Sequence, residues 1–171
     1  KDLAAHLTLT HTLFPRSYLF TSLGSVTWTV GVLAGFYLLF PLLARVFWRW
    51  PLGCLAALCA GQLAYSWGFA LKCSGAAYQM AFNQLPAFLG VWAIGMAGAE
   101  LYEALCRYAA RLPFRAAALA VGLAALWCVF QMQKDLAYAP NGQRWQLVHR
   151  LPLALLQCIA LLGLCLGPQL P

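Results

Sequence analysis

Two histidines near the start of the chain are the residues best suited to acid–base chemistry. His6 and His11 lie five residues apart in a segment rich in apolar and aromatic side chains. An unperturbed imidazole titrates at about pH 6.5, so a histidine at a bilayer boundary can act as a general base. A spacing of five does not place two metal ligands on one helix face, and Asp2 is the nearest carboxylate. The pattern therefore predicts a candidate base and no metal site.

The other ionisable groups with a suggestive spacing favour structural roles. Glu100 and Glu103 lie near the end of an apolar run, and Glu103 precedes Arg107 by four residues. This spacing predicts an ion pair on one helix face at a membrane interface. His149 is next to Arg150 at the start of a later apolar run, which predicts a contact with lipid headgroups.

The cysteines are arranged unlike a disulfide framework or a zinc site. The chain has seven, and none of them forms a C-x-x-C pair. Six lie in or beside apolar runs, and we expect them to be small buried hydrophobic residues. These six are Cys54, Cys59, Cys106, Cys128, Cys158 and Cys165.

The elements that must position these residues are membrane helices. Of the 171 residues, 63% are hydrophobic and 9% are charged, too few to give a water-soluble globule a polar surface. A helix crosses the bilayer core of about 30 Å with about 20 apolar residues. Five stretches without charged residues approach or exceed that length: Ser17–Ala44, Trp50–Leu71, Cys73–Ala99, Ala116–Gln133 and Leu151–Pro171.

The sequence thus predicts an all-α fold, a polytopic transmembrane helix bundle with about five spans. We expect these spans at about 25–44, 51–71, 85–105, 114–132 and 151–166, with the longest polar connection at 133–150. The net charge is +7, but the basic residues are scattered through short connections, which does not indicate nucleic-acid binding. The compact arginine groups after the first and third spans favour the cytoplasmic side, together with the C-terminus.

Two stretches of sequence resemble a known family. The first contains His11-Thr12-Leu13-Phe14-Pro15, then Trp28-Thr29-Val30-Gly31-Val32, then Phe36-Tyr37-Leu38-Leu39-Phe40-Pro41. The second is Asn83-Gln84-Leu85-Pro86-Ala87-Phe88-Leu89-Gly90. Together they are similar to the signature of the acyltransferase-3 family of membrane O-acyltransferases, with the chain aligned to the second half of a roughly ten-helix bundle.

The resemblance implies transfer of an acyl group, often acetyl, from acyl-CoA to a sugar hydroxyl in a cell-surface or exported glycan. It implies His11 as a catalytic group, and Trp28, Thr29 and Tyr37 as residues around the glycan acceptor. The expected location is a plasma membrane of bacterial type, where membrane lipids surround the protein. We expect no metal in the site.

Arginines on the predicted cytoplasmic side are candidates to receive the phosphates of acyl-CoA. Arg45 and Arg49 are the two we assign to this role, and positive-inside topology is the competing explanation for them. One departure from the family pattern stands out, because its glutamate falls on Leu33. A catalytically silent homologue is therefore one alternative to the acyltransferase. A transporter or flippase of a lipid-linked glycan is the other, because five helices with Gly/Ala-rich packing would suffice for it.

Overall fold

The described part of the chain is helical throughout its regular elements. The computed structural model describes residues 2–8, 14 and 28–167. Two short 3₁₀ turns, Ala70–Lys72 and Leu85–Phe88, join longer helices. The helices are α1 (Asp2–Leu7), α2 (Trp28–Arg49), α3 (Pro51–Gly68), α4 (Gly75–Phe82), α5 (Leu89–Cys106), α6 (Leu112–Tyr138) and α7 (Gly142–Leu166).

Five helical segments are long and apolar enough to cross a membrane, which confirms the predicted fold class. They are Trp28–Arg49, Pro51–Lys72, Leu85–Cys106, Leu112–Tyr138 and Gly142–Leu166. Many large apolar side chains on them are exposed, among them Leu38 and Leu52 at 83% and 80%. Such surfaces are stable only in lipid, so the chain is an integral membrane protein.

The prediction of a long polar connection at 133–150 is wrong. Helix α6 continues to Tyr138 and α7 already begins at Gly142. The side chain of Asn141 caps α7 by accepting a hydrogen bond of 3.2 Å from the backbone N–H of Arg144. A charge-free run marks only the part of a helix that lies in hydrocarbon, and the helix itself extends into the headgroup region.

The chain divides into two compact units, Lys1–Gly90 and Val91–Pro171. In the first unit, α2 buries one face that carries Val32, Phe36, Ala44 and Phe47. Phe36 has no exposed surface. Gly35 lies so close to Leu85 that a Cβ at this position would be 2.7 Å from the leucine Cδ1. The glycine therefore lets the 3₁₀ turn Leu85–Phe88 approach α2.

In the second unit, α6 and α7 form a closely packed helical hairpin. A Cβ added to Gly122 would lie 2.8 Å from the Cα of Gly163, and a Cβ on Gly163 would overlap the Gly122 backbone. Two glycines facing each other bring the helix backbones into van der Waals contact, which is the main attraction available between helices in lipid. At the end of the hairpin, Arg115 donates from Nε and Nη2 to the carbonyl of Gly167, each at 3.3 Å.

The predicted burial of the cysteines is correct only in part. Cys54 is buried, and Cys59 and Cys158 are partly buried. Cys106, Cys128 and Cys165 are exposed, contrary to the prediction. The sequence pattern could not separate these two groups, because an apolar run in a membrane helix faces lipid as readily as protein.

We expect Gly163→Ala to destabilise the α6–α7 hairpin, because the added methyl group has no room against Gly122. The cost should be about 1–3 kcal/mol, as for other overpacked contacts. The measurement is thermal unfolding of the purified protein in detergent, followed by circular dichroism. Gly95→Ala is the matched control, since a Cβ at Gly95 meets nothing within 4 Å and alanine favours helix. Equal stability losses in the two variants would contradict the close contact.

Candidate functional site

Two residues expected near the glycan acceptor lie at the N-terminal end of α2. The ring of Trp28 stacks on Phe88, with ring centroids 5.9 Å apart and planes inclined by 23°. Thr29 follows it and is exposed. Phe88 belongs to the 3₁₀ turn before α5, so the stack fixes this end of α2 against the start of α5. Stacked aromatic rings beside a hydroxyl present both apolar faces and a hydrogen-bonding group.

A buried glutamine reinforces the same end of the first unit. Gln62 on α3 is 1% exposed, and its Oε1 accepts a hydrogen bond of 2.8 Å from the backbone N–H of Gly90. This N–H belongs to the first turn of α5, where helix donors have no partner within their own helix. The bond therefore ties α3 to α5 two residues from the Trp28–Phe88 stack.

One turn further along α3, polar side chains continue on the same face. Ser66 is 2% exposed, and its buried hydroxyl oxygen has no hydrogen-bond partner among the described residues. Its neighbour Tyr65 donates to the carbonyl of Ala81 at 3.0 Å, which joins α3 to α4. A buried hydroxyl without a hydrogen bond costs about 1–3 kcal/mol of stability. A polar residue kept at such a cost calls for an explanation other than packing.

Three positions of α2 that carry the family resemblance are exposed. Thr29, Leu33 and Tyr37 are spaced by four residues and are all exposed, Leu33 at 46% and Tyr37 at 68%. Residues with this spacing share one side of a helix. Phe36, by contrast, is fully buried. The three signature positions therefore remain accessible from outside the described part of the first unit.

The predicted phosphate-binding arginines lie at the opposite end of the same helix. Arg45 and Arg49 are exposed, one turn apart, in the last turns of α2. At about 1.5 Å of rise per residue, Arg45 is about 26 Å from Trp28 along the helix axis. The structure therefore brings Trp28 and Thr29 together at one end, and Arg45 and Arg49 at the other. The two pairs do not meet.

Other predicted residues have mixed outcomes. His11 lies outside the described residues, so its candidate role stays a prediction. His149 does not only face headgroups, because its ring stacks on Trp145 at 4.1 Å and its Nδ1 lies 2.8 Å from the Trp145 carbonyl. Among the described residues no group of three or more histidine, cysteine and acidic side chains comes together.

The predicted Glu103–Arg107 ion pair is not formed within the described residues. The guanidinium of Arg107 instead lies over the ring of Tyr108, with Cζ 5.2 Å from the centroid. Arg111 approaches the same ring at 5.8 Å. Helix α5 ends at Cys106, so Arg107 lies beyond the regular helix in which a four-residue spacing would bring it beside Glu103.

The fold and these residues define an all-α integral membrane protein whose first unit has an aromatic and neutral-polar end and an arginine end. No protein-family model, no curated protein and no solved structure matches the chain. The similarity to membrane O-acyltransferases therefore rests on the residues quoted above.

Two residues of this site, Gln62 and Ser66, do not figure in the sequence analysis. Both interrupt the apolar run of α3, and their spacing of four residues places them on one face. That spacing is the signal that would have found them. It is weak, because glutamine and serine in membrane helices most often serve packing and hydrogen bonding between helices.

We expect Gln62→Leu to destabilise the protein by about 1–3 kcal/mol, since it leaves the Gly90 N–H buried without its acceptor. Thermal unfolding in detergent would measure this loss. Gln157→Leu is the matched control, because Gln157 is an exposed glutamine within α7 and no hydrogen bond fixes it among the described residues. The control should be neutral or stabilising. A neutral Gln62→Leu would mean that the α3–α5 bond contributes nothing to the fold.

Proposed function

We propose that the chain is part of a membrane-bound O-acyltransferase that moves an acyl group, typically acetyl, from acyl-CoA to a hydroxyl of a glycan. The observation that carries the proposal is the arrangement along α2. The side chains of the family signature, Thr29 and Tyr37, are exposed on one face. Cations lie at one end of the helix, and aromatic and neutral polar groups lie at the other.

The acceptor is assigned to the end that carries Trp28. A sugar presents hydroxyl groups and an apolar ring face, which suit hydrogen-bonding side chains beside aromatic rings. The Trp28–Phe88 stack supplies the rings, and Thr29 supplies a hydroxyl. Gln62 and Ser66 are buried in α3, and we include them as residues that support this end from within. Tyr37 lies farther along the exposed face, toward the donor.

The donor is assigned to the end that carries Arg45 and Arg49. Their guanidinium groups are exposed and one turn apart, which suits the phosphates of coenzyme A. The separation of about 26 Å between this end and Trp28 is close to the thickness of the hydrocarbon core. On this proposal the acyl group is delivered from one membrane face and accepted near the other.

The chemistry requires one base. In the proposed step, His11 removes the proton of the sugar hydroxyl while the oxygen attacks the thioester carbonyl. The carbon–sulfur bond breaks, and coenzyme A leaves as a thiol after it takes up a proton. The new bond is an ester, and no oxidant or reductant is consumed.

A catalytically silent homologue is the second candidate, and Leu33 is the observation that favours it. The family pattern has a glutamate at this position, and the leucine here is 46% exposed on the signature face. An apolar side chain cannot hold a cation or a sugar hydroxyl by hydrogen bonding.

Membranes that contain the protein should transfer label from acetyl-CoA to a glycan fraction, and His11→Ala should lower this transfer. Loss of a general base typically costs about 10²–10⁴-fold in rate. Incorporation of radiolabel into isolated glycan would measure the effect. Leu38→Ala is the control, because Leu38 is 83% exposed on α2. Absence of label with every short acyl-CoA would count against the acyltransferase.

The Leu33→Glu variant tests the silent homologue. If the present sequence is active, we expect the variant to transfer acyl groups at least as fast as the parent, because a carboxylate would then join Thr29 on the signature face. The same label-incorporation assay applies, with Leu38→Glu as the matched control on the same helix. Transfer by Leu33→Glu with none by the parent would assign the present sequence to the silent homologue.

A further inference from the structure

A groove between α5 and α7 in the second unit has no role in the proposed acyl transfer. Its volume is about 440 Å³. Small side chains form its floor, and Cys158 reaches across it to contact α5 at Gly98 and at the carbonyl of Ile94, 3.8 Å from its Sγ. One amide, Gln157, interrupts an otherwise mostly apolar lining. Besides these, the lining residues include Val91, Gly95, Ala154 and Leu161; they and Gly98 define the α5/α7 groove.

The dimensions of the groove select its occupant. From Val91 to Tyr102 it extends about 17 Å along α5, at about 1.5 Å per residue. A volume of about 440 Å³ spread over this length makes the groove narrow and elongated. A helix with its side chains is about 10–12 Å across and does not fit. A single hydrocarbon chain does, because its carbons pack about 4 Å from their neighbours.

Two cations follow the end of α5 at which the groove ends. Tyr102 and Cys165 line its end and lie beside Cys106, the last residue of α5. Immediately beyond, the guanidinium groups of Arg107 and Arg111 both lie over the ring of Tyr108, at 5.2 and 5.8 Å.

Both cations are available to an anion. Each of the two arginines is exposed, and within the described residues neither forms an ion pair with a carboxylate. Arg115, the third arginine of the cluster, is already engaged by the carbonyl of Gly167. The ring of Tyr108 gathers two positive charges that repel each other, an arrangement that a phosphate would stabilise by charge-assisted hydrogen bonds.

We propose that the second unit binds an anionic membrane phospholipid, with one acyl chain in the α5/α7 groove and its phosphate at Arg107 and Arg111. Arg107 is the first residue after α5 and follows Tyr102, which lines the end of the groove, by five residues. A headgroup whose chain enters the groove beside Tyr102 therefore lies next to the segment that carries both arginines. Basic residues beside a cleft between membrane helices are a recurrent way to recognise anionic headgroups. The inference is independent of the proposed acyl transfer.

Native mass spectrometry of the full chain, released from detergent with added lipid, tests the proposal. The probes are long-chain phosphatidylglycerol and phosphatidylcholine, which share chains and differ in net charge. We expect one phosphatidylglycerol to be retained per chain in preference to phosphatidylcholine. Arg107→Gln combined with Arg111→Gln should lower the affinity for phosphatidylglycerol about tenfold or more and abolish the preference. Lys72→Gln combined with Lys134→Gln removes the same amount of charge elsewhere and should preserve the preference for phosphatidylglycerol.

A second variant tests the groove itself. Gly95→Trp places a large side chain at a position that lines the groove and where a Cβ meets nothing within 4 Å, and it should reduce retention of both lipids. Gly68→Trp is the matched control outside the groove, at a glycine with equally open surroundings. Gly95→Leu gives the same comparison if the tryptophan variant does not fold.

Three results would overturn the proposal. Equal retention of the two lipids would contradict the phosphate contact. Unchanged lipid retention in Gly95→Trp would contradict binding in the groove. A dimer that Gly95→Trp dissociates without loss of lipid would show that a second copy covers this face. Glycerol 3-phosphate and long-chain acyl-CoA serve as further probes. Tighter binding of glycerol 3-phosphate than of phosphatidylglycerol would also contradict a phospholipid as the occupant, and so would tighter binding of acyl-CoA that Arg107→Gln combined with Arg111→Gln abolishes.

Discussion

Hydrocarbon offers no hydrogen bonds to a polypeptide, and the described structure follows from that constraint. Every backbone amide in the spans must find its acceptor within the protein, which leaves helices as the available element. The same requirement explains the Gln62–Gly90 bond, because the first turn of α5 has donors that its own helix cannot satisfy. At a water interface, water would accept hydrogen bonds from the N–H groups of the first helical turn. Here a side chain of α3 accepts one of them.

Attraction between helices must come from sources other than the hydrophobic effect, since lipid tails are as apolar as leucine. The two units differ in how they solve this problem. In the first, a glutamine amide joins α3 to Gly90, a tyrosine hydroxyl joins α3 to α4, and an aromatic stack joins α2 to the 3₁₀ turn Leu85–Phe88. In the second, α6 and α7 rely on the direct backbone contact of Gly122 with Gly163. Polar side chains therefore take part in the contacts between helices in the unit to which the candidate chemistry is assigned.

The sequence predicted the number and approximate position of the spans, because the absence of charge over about 20 residues is a strong physical signal. It did not predict where the helices end. Helix α7 begins at Gly142, among polar residues that are helical although they precede the charge-free run. The Gly122–Gly163 contact was also missed. Glycine is frequent in membrane helices, and its frequency does not reveal which glycine faces which.

The candidate site was predictable only where the family resemblance reached. Trp28 and Arg45 lie at opposite ends of one helix, and their separation could be read from the sequence by counting residues. The stack on Phe88 and the burial of Gln62 and Ser66 could not, because they depend on which faces of α2, α3 and α5 meet. The prediction of an ion pair between Glu103 and Arg107 was wrong for a related reason, since α5 ends one residue before Arg107.

The length of α6 has a consequence for the bilayer around it. With 27 residues, this helix is about 40 Å long, against a hydrocarbon core of about 30 Å. Hydrophobic mismatch of this size is relieved when a helix tilts or when its polar end projects into the aqueous phase. The residues after Met132 in α6 include Gln133, Lys134 and Asp135, which favours projection. The tight turn before α7 would then stand clear of the headgroups, as an epitope or cleavage point reachable from the water on that side.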